Sequence, residues 1–240
     1  DVEIGAYTVI GDDVTIASGT RVESHVVING PTTIGKDNHI YQFASIGDDP
    51  QDKKYANEPT KLVIGDRNTI REFCTLSRGT VQDRGETRMG DDNWIMAYVH
   101  IAHDCVVGDK TIMANNTTLA GHVHVGDWVI CGGFSGIHQF CKIGAHAFLG
   151  MYCGVNRDVP AYTMVSGQPA VARGINSEGL KRRDFTAEQI RNIKNAYRIT
   201  FRQGKRKEEA IEEITALAKV QPELMPFLES LRSSERGLAR

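Results

Sequence analysis

The chain has 240 residues, 40% hydrophobic and 24% charged, as expected of a globular protein with a core of useful size. A formal net charge of −2 excludes a strongly basic nucleic-acid-binding protein. The sequence shows neither a membrane-span pattern nor a signal-peptide pattern. Five cysteines without a CxxC pair argue against a disulfide framework or a zinc site. We therefore expect a soluble protein of a reducing cytoplasm.

An aliphatic or compact apolar residue recurs at every sixth position over most of residues 1–155, without a miss from Met89 to Val155. A small or compact residue usually stands two positions earlier, which predicts one short strand per six residues with two inward side chains. Glycines 90, 108, 126 and 144 recur every 18 residues, and we expect bends there. Three strands per turn predict a triangular parallel β-helix in which residues 18 apart stack roughly 4.8 Å apart.

Two polar segments interrupt the repeat, at residues 48–61 and 78–88, and are predicted to be loops ejected from the column. Such excursions commonly carry function. The five cysteines fall in inward positions of the repeat, so we expect buried packing rather than catalysis or metal binding. They are Cys74, Cys105, Cys131, Cys141 and Cys153.

The repeat ends after Val155, and residues 158–170 are expected to close the last coil. The β-helix is thus predicted to span 1–170 and a small helical domain 171–240. Thr186 is expected to cap a helix that ends before Gly204, a second helix covers about 207–219, and a third follows Pro222. Residues 1–175 carry a net charge of −6 and residues 176–240 a net charge of +4, with basic residues concentrated in 181–207. That concentration suggests an anionic partner, although a solvated helical face would look the same.

None of the eight histidines occupies an inward position, so all are expected to point outward or to lie at corners of the column. The 18-residue stack places His122 over Asp104 and Gly121 over His103, with Gln139 one coil further. A carboxylate beside an imidazole fixes its tautomer and stabilises its charged form, which suits a general base on the outer wall. The Gly121 N–H could receive an oxyanion. Three outward histidines could instead bind zinc, or solvated histidines could have no chemical role.

Long motifs of the sequence resemble the UDP-N-acetylglucosamine O-acyltransferase family, which catalyses the first step of lipid A synthesis. The resemblance covers essentially the whole chain, and family members begin about one coil before residue 1. It rests on YQFASIG (41–47), QDKKYANEPT (51–60), RGTVQ (78–82), HIAHDC (100–105), NNTTLAGHV (115–123), GIHQFCKIGAH (136–146), DVPAY (158–162) and EGLKRR (178–183). The coils of this family are left-handed, an exception to the usual crossover rule.

The resemblance implies a role for each matching residue. His103 would take the proton from the glucosamine 3-hydroxyl, Asp104 would orient His103, and the Gly121 N–H would stabilise the oxyanion. His138 would lie near the acyl group. The sugar or nucleotide sugar would be held by Gln51, Asp52, Lys54, His100, His122 and Gln139, and the uracil, ribose or phosphate would be reached by Asn176, Glu178, Arg182 and Arg183.

The resemblance also implies an (R)-3-hydroxyacyl donor carried by acyl carrier protein, no metal or other cofactor, and a homotrimer with sites between subunits. The basic 181–207 segment would then receive the acidic carrier protein. Met151 matches the position that limits acyl length, which suggests a chain of ten to twelve carbons. The family usually has Ile where Ser177 stands, a change that affects only fine detail.

Three other functions are consistent with the repeat alone. A hexapeptide acetyltransferase would use acetyl-coenzyme A, a carbonic anhydrase would hold zinc, and a scaffold would bind no nucleotide sugar. The related N-acyltransferase normally has an additional N-terminal domain, for which this chain has no room.

Overall fold

The computed structural model describes residues 1–240 and contains three sheets of short strands followed by a helical region. Successive strands along the chain enter successive sheets, which we call faces A, B and C of a three-sided column. All pairings but one are parallel, and most join residues 18 apart, such as Val106 with His124. The predicted mainly β fold, a parallel β-helix followed by helices, is confirmed.

The strands are numbered β1–β25 in chain order. Face A contains β1 (Glu3–Ile4), β4 (Arg21–Val22), β7 (His39–Ile40), β10 (Thr69–Ile70), β13 (Trp94–Ile95), β16 (Ile112–Met113), β19 (Ile130–Cys131), β22 (Phe148–Leu149), β24 (Thr163–Ser166) and β25 (Val171–Ile175). Face B contains β2 (Val9–Ile10), β5 (Val27–Ile28), β8 (Ser45–Asp48), β11 (Thr75–Ser77), β14 (His100–Ile101), β17 (Thr118–Leu119), β20 (Gly136–Ile137) and β23 (Gly154–Val155). Face C contains β3 (Val14–Ile16), β6 (Thr32–Ile34), β9 (Lys61–Ile64), β12 (Glu86–Met89), β15 (Val106–Val107), β18 (His124–Val125) and β21 (Lys142–Ile143).

The core is a continuous stack of the periodic aliphatic side chains. From Val22 to Val155 these side chains are almost completely buried, whereas Ile4 and Ile10 in the first coil are exposed. All five cysteines are buried and unpaired, as predicted. Burial raises the pKa of the Cys105 thiol to about 12, so this neighbour of the histidine cluster stays protonated at neutral pH.

Polar residues that fit the repeat poorly form a buried ladder. Asn38, Asn68 and Asn93 occupy inward positions, and each accepts a backbone N–H bond from the next coil with a side-chain oxygen. The distances are 2.9 Å, 2.9 Å and 2.7 Å. These amides therefore replace a lost apolar contact with hydrogen bonds that fix the distance between coils.

The bends do not lie at the glycines that the sequence suggested. The chain turns at residues with positive φ, which are almost all non-glycine, such as Asp104 (59°), His122 (63°) and His146 (61°). Glycines 90, 108, 126 and 144 have ordinary φ instead. A Cβ at these positions would collide with the next coil. The 18-residue glycine period is therefore explained by the close stacking of neighbouring coils and not by bends in the chain.

The two loops leave the column where the repeat is interrupted, although both are shorter than expected. Residues 49–60 connect β8 to β9, and residues 78–85 connect β11 to β12. We call them loop 1 and loop 2. Residues 86–88, expected in the second loop, are part of β12 and pair with β9.

The helical region begins at residue 177, because β25 continues face A as an antiparallel strand beyond the expected boundary at 170. It contains α1 (Ser177–Lys181), α2 (Ala187–Phe201), α3 (Lys207–Ala218), a 3-10 turn (Pro222–Leu224) and α4 (Met225–Ser233). Thr186 caps α2 by accepting the Gln189 N–H, as predicted. No helix combines the length and the apolar character that crossing a bilayer requires.

Candidate functional site

The candidate site lies at the corner between faces B and C, which we call corner BC. His103 and Asp104 follow β14 there, and the ring Nδ1 of His103 is 2.9 Å from Asp104 Oδ2. A carboxylate can only accept a hydrogen bond, so Nδ1 carries the proton and Nε2 keeps its lone pair. The pair therefore presents an oriented imidazole with a basic nitrogen.

Asp104 is completely buried, although the sequence predicts the pair on the outer wall of the column. The residue does face away from the core, but loop 2 covers it. Thr80 of this loop donates its N–H to Oδ1 at 2.9 Å and its hydroxyl to Oδ2 at 2.6 Å. Burial by itself would raise the pKa of Asp104, but the bonds from His103 and Thr80 outweigh burial and lower it. The carboxyl group is thus ionised at neutral pH.

One coil further, Gly121 and His122 lie directly above the pair, as the stack predicted. The His122 N–H donates to the His103 carbonyl at 3.0 Å, and the His122 ring stacks on Phe140 at 4.4 Å between centroids. His122 Nδ1 lies 3.0 Å from an oxygen of Asp83, which belongs to loop 2. Both histidines of corner BC are therefore held by carboxylates.

Gly121 has to be glycine for the ring of His103 to fit. A Cβ at Gly121 would lie 2.5 Å from Cε1 and 2.7 Å from Nε2 of His103. The Gly121 N–H has no acceptor within the chain and lies beside that ring. A free donor next to a basic nitrogen suits a developing oxyanion near the base.

A polar cavity of about 810 Å³ opens in front of the two histidines. Only one of its lining residues, Phe140, is apolar. Loop 1 supplies one wall and loop 2 another, so both ejected loops border the site. The cavity is lined by Gln51, Asp52, Lys53, Lys54, Gln82, Asp83, His103, His122, Gln139 and Phe140. Such a surface suits a hydroxylated or charged ligand rather than an apolar one.

Two further histidines of the predicted set lie on face B, outside this lining. His100 Nδ1 is 2.7 Å from the Thr75 hydroxyl, and burial together with the charge of His103 lowers the pKa of His100. His138 is exposed. These two histidines therefore lie on the surface of face B, beside the cavity and outside its lining.

Four of the predicted residues lie at a different corner of the chain, between faces C and A, which we call corner CA. The Asn176 side chain accepts the Gly179 N–H and caps α1, and it donates to the His146 carbonyl. Arg183 donates to His146 Nδ1 at 3.0 Å. Glu178 is paired with Lys181. Arg182 is exposed. None of these four predicted residues lines the polar cavity of one chain.

Met151 stands at the third corner, between faces A and B. It is 65% exposed and directly precedes Tyr152, which stacks on Phe134. The position that the resemblance connects with acyl length thus also lies outside the cavity formed by one chain.

Outward histidines could also bind zinc, and the ligand atoms of His103, Asp104 and His122 do lie within 4.8 Å of one another. Their orientation does not suit a metal. Both Asp104 oxygens accept hydrogen bonds from Thr80, and Nδ1 of each histidine faces a carboxylate. The donor atoms are directed at one another rather than at a shared open position.

Six residues of the site were not predicted from the sequence: Lys53, Gln82 and Phe140 in the cavity lining, and Arg78, Thr80 and Asp83 in loop 2. Thr80 and Asp83 hold Asp104 and His122 from loop 2, and Arg78 connects loop 2 to loop 1. The motif RGTVQ (78–82) was the available signal, but it identified a family without revealing which atoms its side chains reach.

Comparison with known proteins agrees with this fold. Residues 86–121 match the family described as bacterial transferase hexapeptide (six repeats), which places the column in the class of hexapeptide-repeat transferases and agrees with a left-handed coil. Residues 158–239 match the family described as UDP-N-acetylglucosamine O-acyltransferase, domain 2.

The full chain resembles individual members of that family. It is 57% identical over 240 residues to the acyl-[acyl-carrier-protein]--UDP-N-acetylglucosamine O-acyltransferase of Thiobacillus denitrificans, with coverage of 100% of this chain and 93% of that protein. The crystal structure of the Moraxella catarrhalis UDP-N-acetylglucosamine O-acyltransferase matches with a TM-score of 0.99 and 49% identity, again over 100% and 93%. The Arabidopsis enzyme matches at 0.82 and 34%, over 100% and 98%. The chain belongs to the UDP-N-acetylglucosamine O-acyltransferase family.

Proposed function

We propose that the chain transfers an (R)-3-hydroxyacyl group from acyl carrier protein to the 3-hydroxyl of UDP-N-acetylglucosamine, the first step of lipid A synthesis. The observation that carries this proposal is the His103–Asp104 pair at a polar cavity, with the free Gly121 N–H beside it. Family membership supplies the substrates.

His103 Nε2 takes the proton of the sugar hydroxyl as its oxygen bonds to the thioester carbonyl carbon. The buried Asp104 carboxylate stabilises the imidazolium that forms. The carbonyl oxygen gains the negative charge and accepts the Gly121 N–H. The C–S bond then breaks as the carbonyl reforms, and His103 gives the proton to the departing thiolate, which leaves as the thiol of the carrier protein. No metal or other cofactor is required in this proposal.

The sugar nucleotide contacts two neighbouring chains in this proposal. Asp52, Lys54, His122 and Gln139 line the cavity, whereas Asn176 and Arg183 lie at another corner of the column. A site that uses both sets needs two copies side by side, which supports a homotrimer with sites between subunits. Met151, at the third corner, would then border the acyl pocket and restrict the chain to ten to twelve carbons.

The carrier protein would dock on α2 rather than on the whole basic segment. Lys205 and Arg206 are already paired with Glu213 and Glu209. Three basic residues of α2, by contrast, have no ion-pair partner and line one open recess of about 450 Å³. These residues are Arg191, Lys194 and Arg198. Unpaired cations on one helix face attract an acidic partner.

We place the enzyme in the cytoplasm. All five cysteines are free, which fits a reducing compartment, and the proposed carrier-protein donor is a cytoplasmic thioester.

The test is incubation with UDP-N-acetylglucosamine and hydroxyacyl carrier proteins of increasing chain length, with products identified by mass spectrometry. Replacing His103 by Ala should lower turnover by roughly 10²–10⁴-fold, because general-base catalysis contributes about that much. The matched control is His39→Ala on face A, which should retain activity. Normal turnover of the His103 variant, or transfer of acetyl from acetyl-coenzyme A instead, would contradict the proposal.

A further inference from the structure

The Asp104 carboxylate depends on loop 2 for two of its three hydrogen bonds. Its carboxylate is fully buried, and its hydrogen-bond partners are the His103 ring at 2.9 Å and two donors of Thr80. The His122 ring also faces it, with Nδ1 at 3.8 Å from Oδ2, and this contact is unchanged in the variants below. Thr80 supplies both the N–H, at 2.9 Å from Oδ1, and the hydroxyl, at 2.6 Å from Oδ2. The hydroxyl and the imidazole therefore share one oxygen, Oδ2.

Thr80 is itself held in place from both sides. Its side chain is 1% exposed, and its carbonyl accepts the Gly85 N–H at 3.0 Å across loop 2. Two residues before it, Arg78 donates to the Gly47 carbonyl at 2.6 Å and to the Tyr55 hydroxyl at 3.0 Å, and pairs with Asp49. The hydroxyl is thus a fixed donor, because the loop that carries it is tied to loop 1 and to the column.

We propose that Thr80 is a positioning residue that acts on His103 through Asp104. This inference rests on the proposed function, since it assumes that His103 is the base. The Thr80 hydroxyl fixes the carboxylate in the plane that the imidazole needs and takes up part of the negative charge on Oδ2. It thereby sets both the direction of Nε2 and the affinity of the ring for a proton.

A purely structural role would give a different result. Thr87 is equally buried, and its hydroxyl contacts the same aspartate, but it accepts the backbone N–H of Asp104 at 2.8 Å and does not reach the carboxylate. Loss of the Thr87 hydroxyl should cost stability without changing the charge at Oδ2. Thr87→Val is therefore a matched control for Thr80→Val.

The direction of the expected pH effect follows from the shared oxygen. Without the Thr80 hydroxyl, Oδ2 carries more uncompensated negative charge, which favours the imidazolium form of His103. The base must be neutral to accept a proton. The acid limb of kcat/KM against pH should consequently move to higher pH in Thr80→Val.

The experiment compares Thr80→Val, Thr80→Ser and Thr87→Val with the wild-type enzyme in the acyl-transfer assay, with thermal unfolding as the measure of folding. For Thr80→Val we expect kcat to fall roughly tenfold, as for the loss of one hydrogen bond to a charged group, with KM for the sugar nucleotide unchanged. The Ser variant should restore both kcat and the acid limb, since it keeps the hydroxyl. Thr87→Val should keep the wild-type acid limb.

Two outcomes would overturn the inference: a Thr80→Val enzyme with wild-type kcat and acid limb, or a Ser variant as impaired as the Val variant. If Thr80→Val does not fold, Thr80→Ser becomes the deciding variant. Wild-type kcat and a wild-type acid limb in Thr80→Ser would support the proposed role of the hydroxyl. His103→Ala is measured in parallel. An inactive His103 variant with an unaffected Thr80→Val enzyme rejects only this inference, whereas an active His103 variant rejects the proposed function.

Discussion

Corners BC and CA of the column have the same backbone turn but opposite electrostatics. His122 and His146 each occupy the positive-φ position of their corner. At corner BC the imidazole Nδ1 faces the Asp83 carboxylate, whereas at corner CA Nδ1 faces the Arg183 guanidinium. Burial, followed by the charge of Arg183, lowers the pKa of His146 to about 4, although Asp127 opposes the shift.

The difference shows that the side chains arriving from outside the repeat decide what a corner histidine can do. Arg183 can only donate, so His146 is a neutral acceptor at pH 7. At corner BC, carboxylates from loop 2 and from the corner itself instead face the Nδ1 atoms of the two rings and orient them. The same turn thus carries the proposed proton-transfer site at one corner and a histidine that accepts a hydrogen bond from Arg183 at another.

Among the variants that test this comparison of corners, the largest effect is expected from the space at corner BC. Gly121→Ala would place a methyl group 2.5 Å from His103 Cε1, which forces the ring away from its position. We expect turnover to fall by roughly 10²–10³-fold, the usual loss when an oxyanion donor or its geometry is removed. Steady-state kinetics measure this fall in turnover. The control is Gly174→Ala, where nothing lies within 4 Å of the new methyl group. Equal activity of the two variants would show that close packing at Gly121 is irrelevant.

A smaller effect should follow from weakening the carboxylate that holds His122. Asp83→Asn keeps the size of the side chain but removes the charge from the contact with Nδ1. We expect KM for UDP-N-acetylglucosamine to rise by roughly threefold to tenfold, as for one hydrogen bond, with kcat less affected.

The control for the lost charge is Asp12→Asn, an exposed aspartate in the first coils. A rise in KM for both variants would point to overall charge rather than to the hold on His122.

The smallest effect is spectroscopic and belongs to corner CA. Arg183→Gln removes the cation beside His146, so the pKa of His146 should rise from about 4 but stay below the ordinary 6.5, because burial is the larger cause of the shift. Histidine resonances followed by NMR during a pH titration measure it. In the wild-type enzyme His146 should charge only as the pH falls toward 4. An unchanged His146 pKa in the variant would show that Arg183 does not contribute to the lowered pKa.

The repeat predicted the column and the residues that stack on one another in neighbouring coils. His103 beneath Gly121 and Asp104 beneath His122 followed from the 18-residue period, because each coil copies the one below it. The same reasoning misplaced the bends, since glycines every 18 residues look like turns. Only the structure shows that they admit the next coil, while residues such as Asp104 make the turns.

The sequence by itself determined the three-sided column, its buried aliphatic core and the stacking of two histidines, because a six-residue period repeats one local burial pattern. The tertiary structure alone decided that Thr80 covers Asp104, that Asp83 reaches His122 and that Arg183 donates a hydrogen bond to His146. Those contacts join residues 24, 39 and 37 positions apart, between the column and segments that do not repeat. No periodicity encodes such pairs, because loop and helix positions depend on many long-range hydrogen bonds at once.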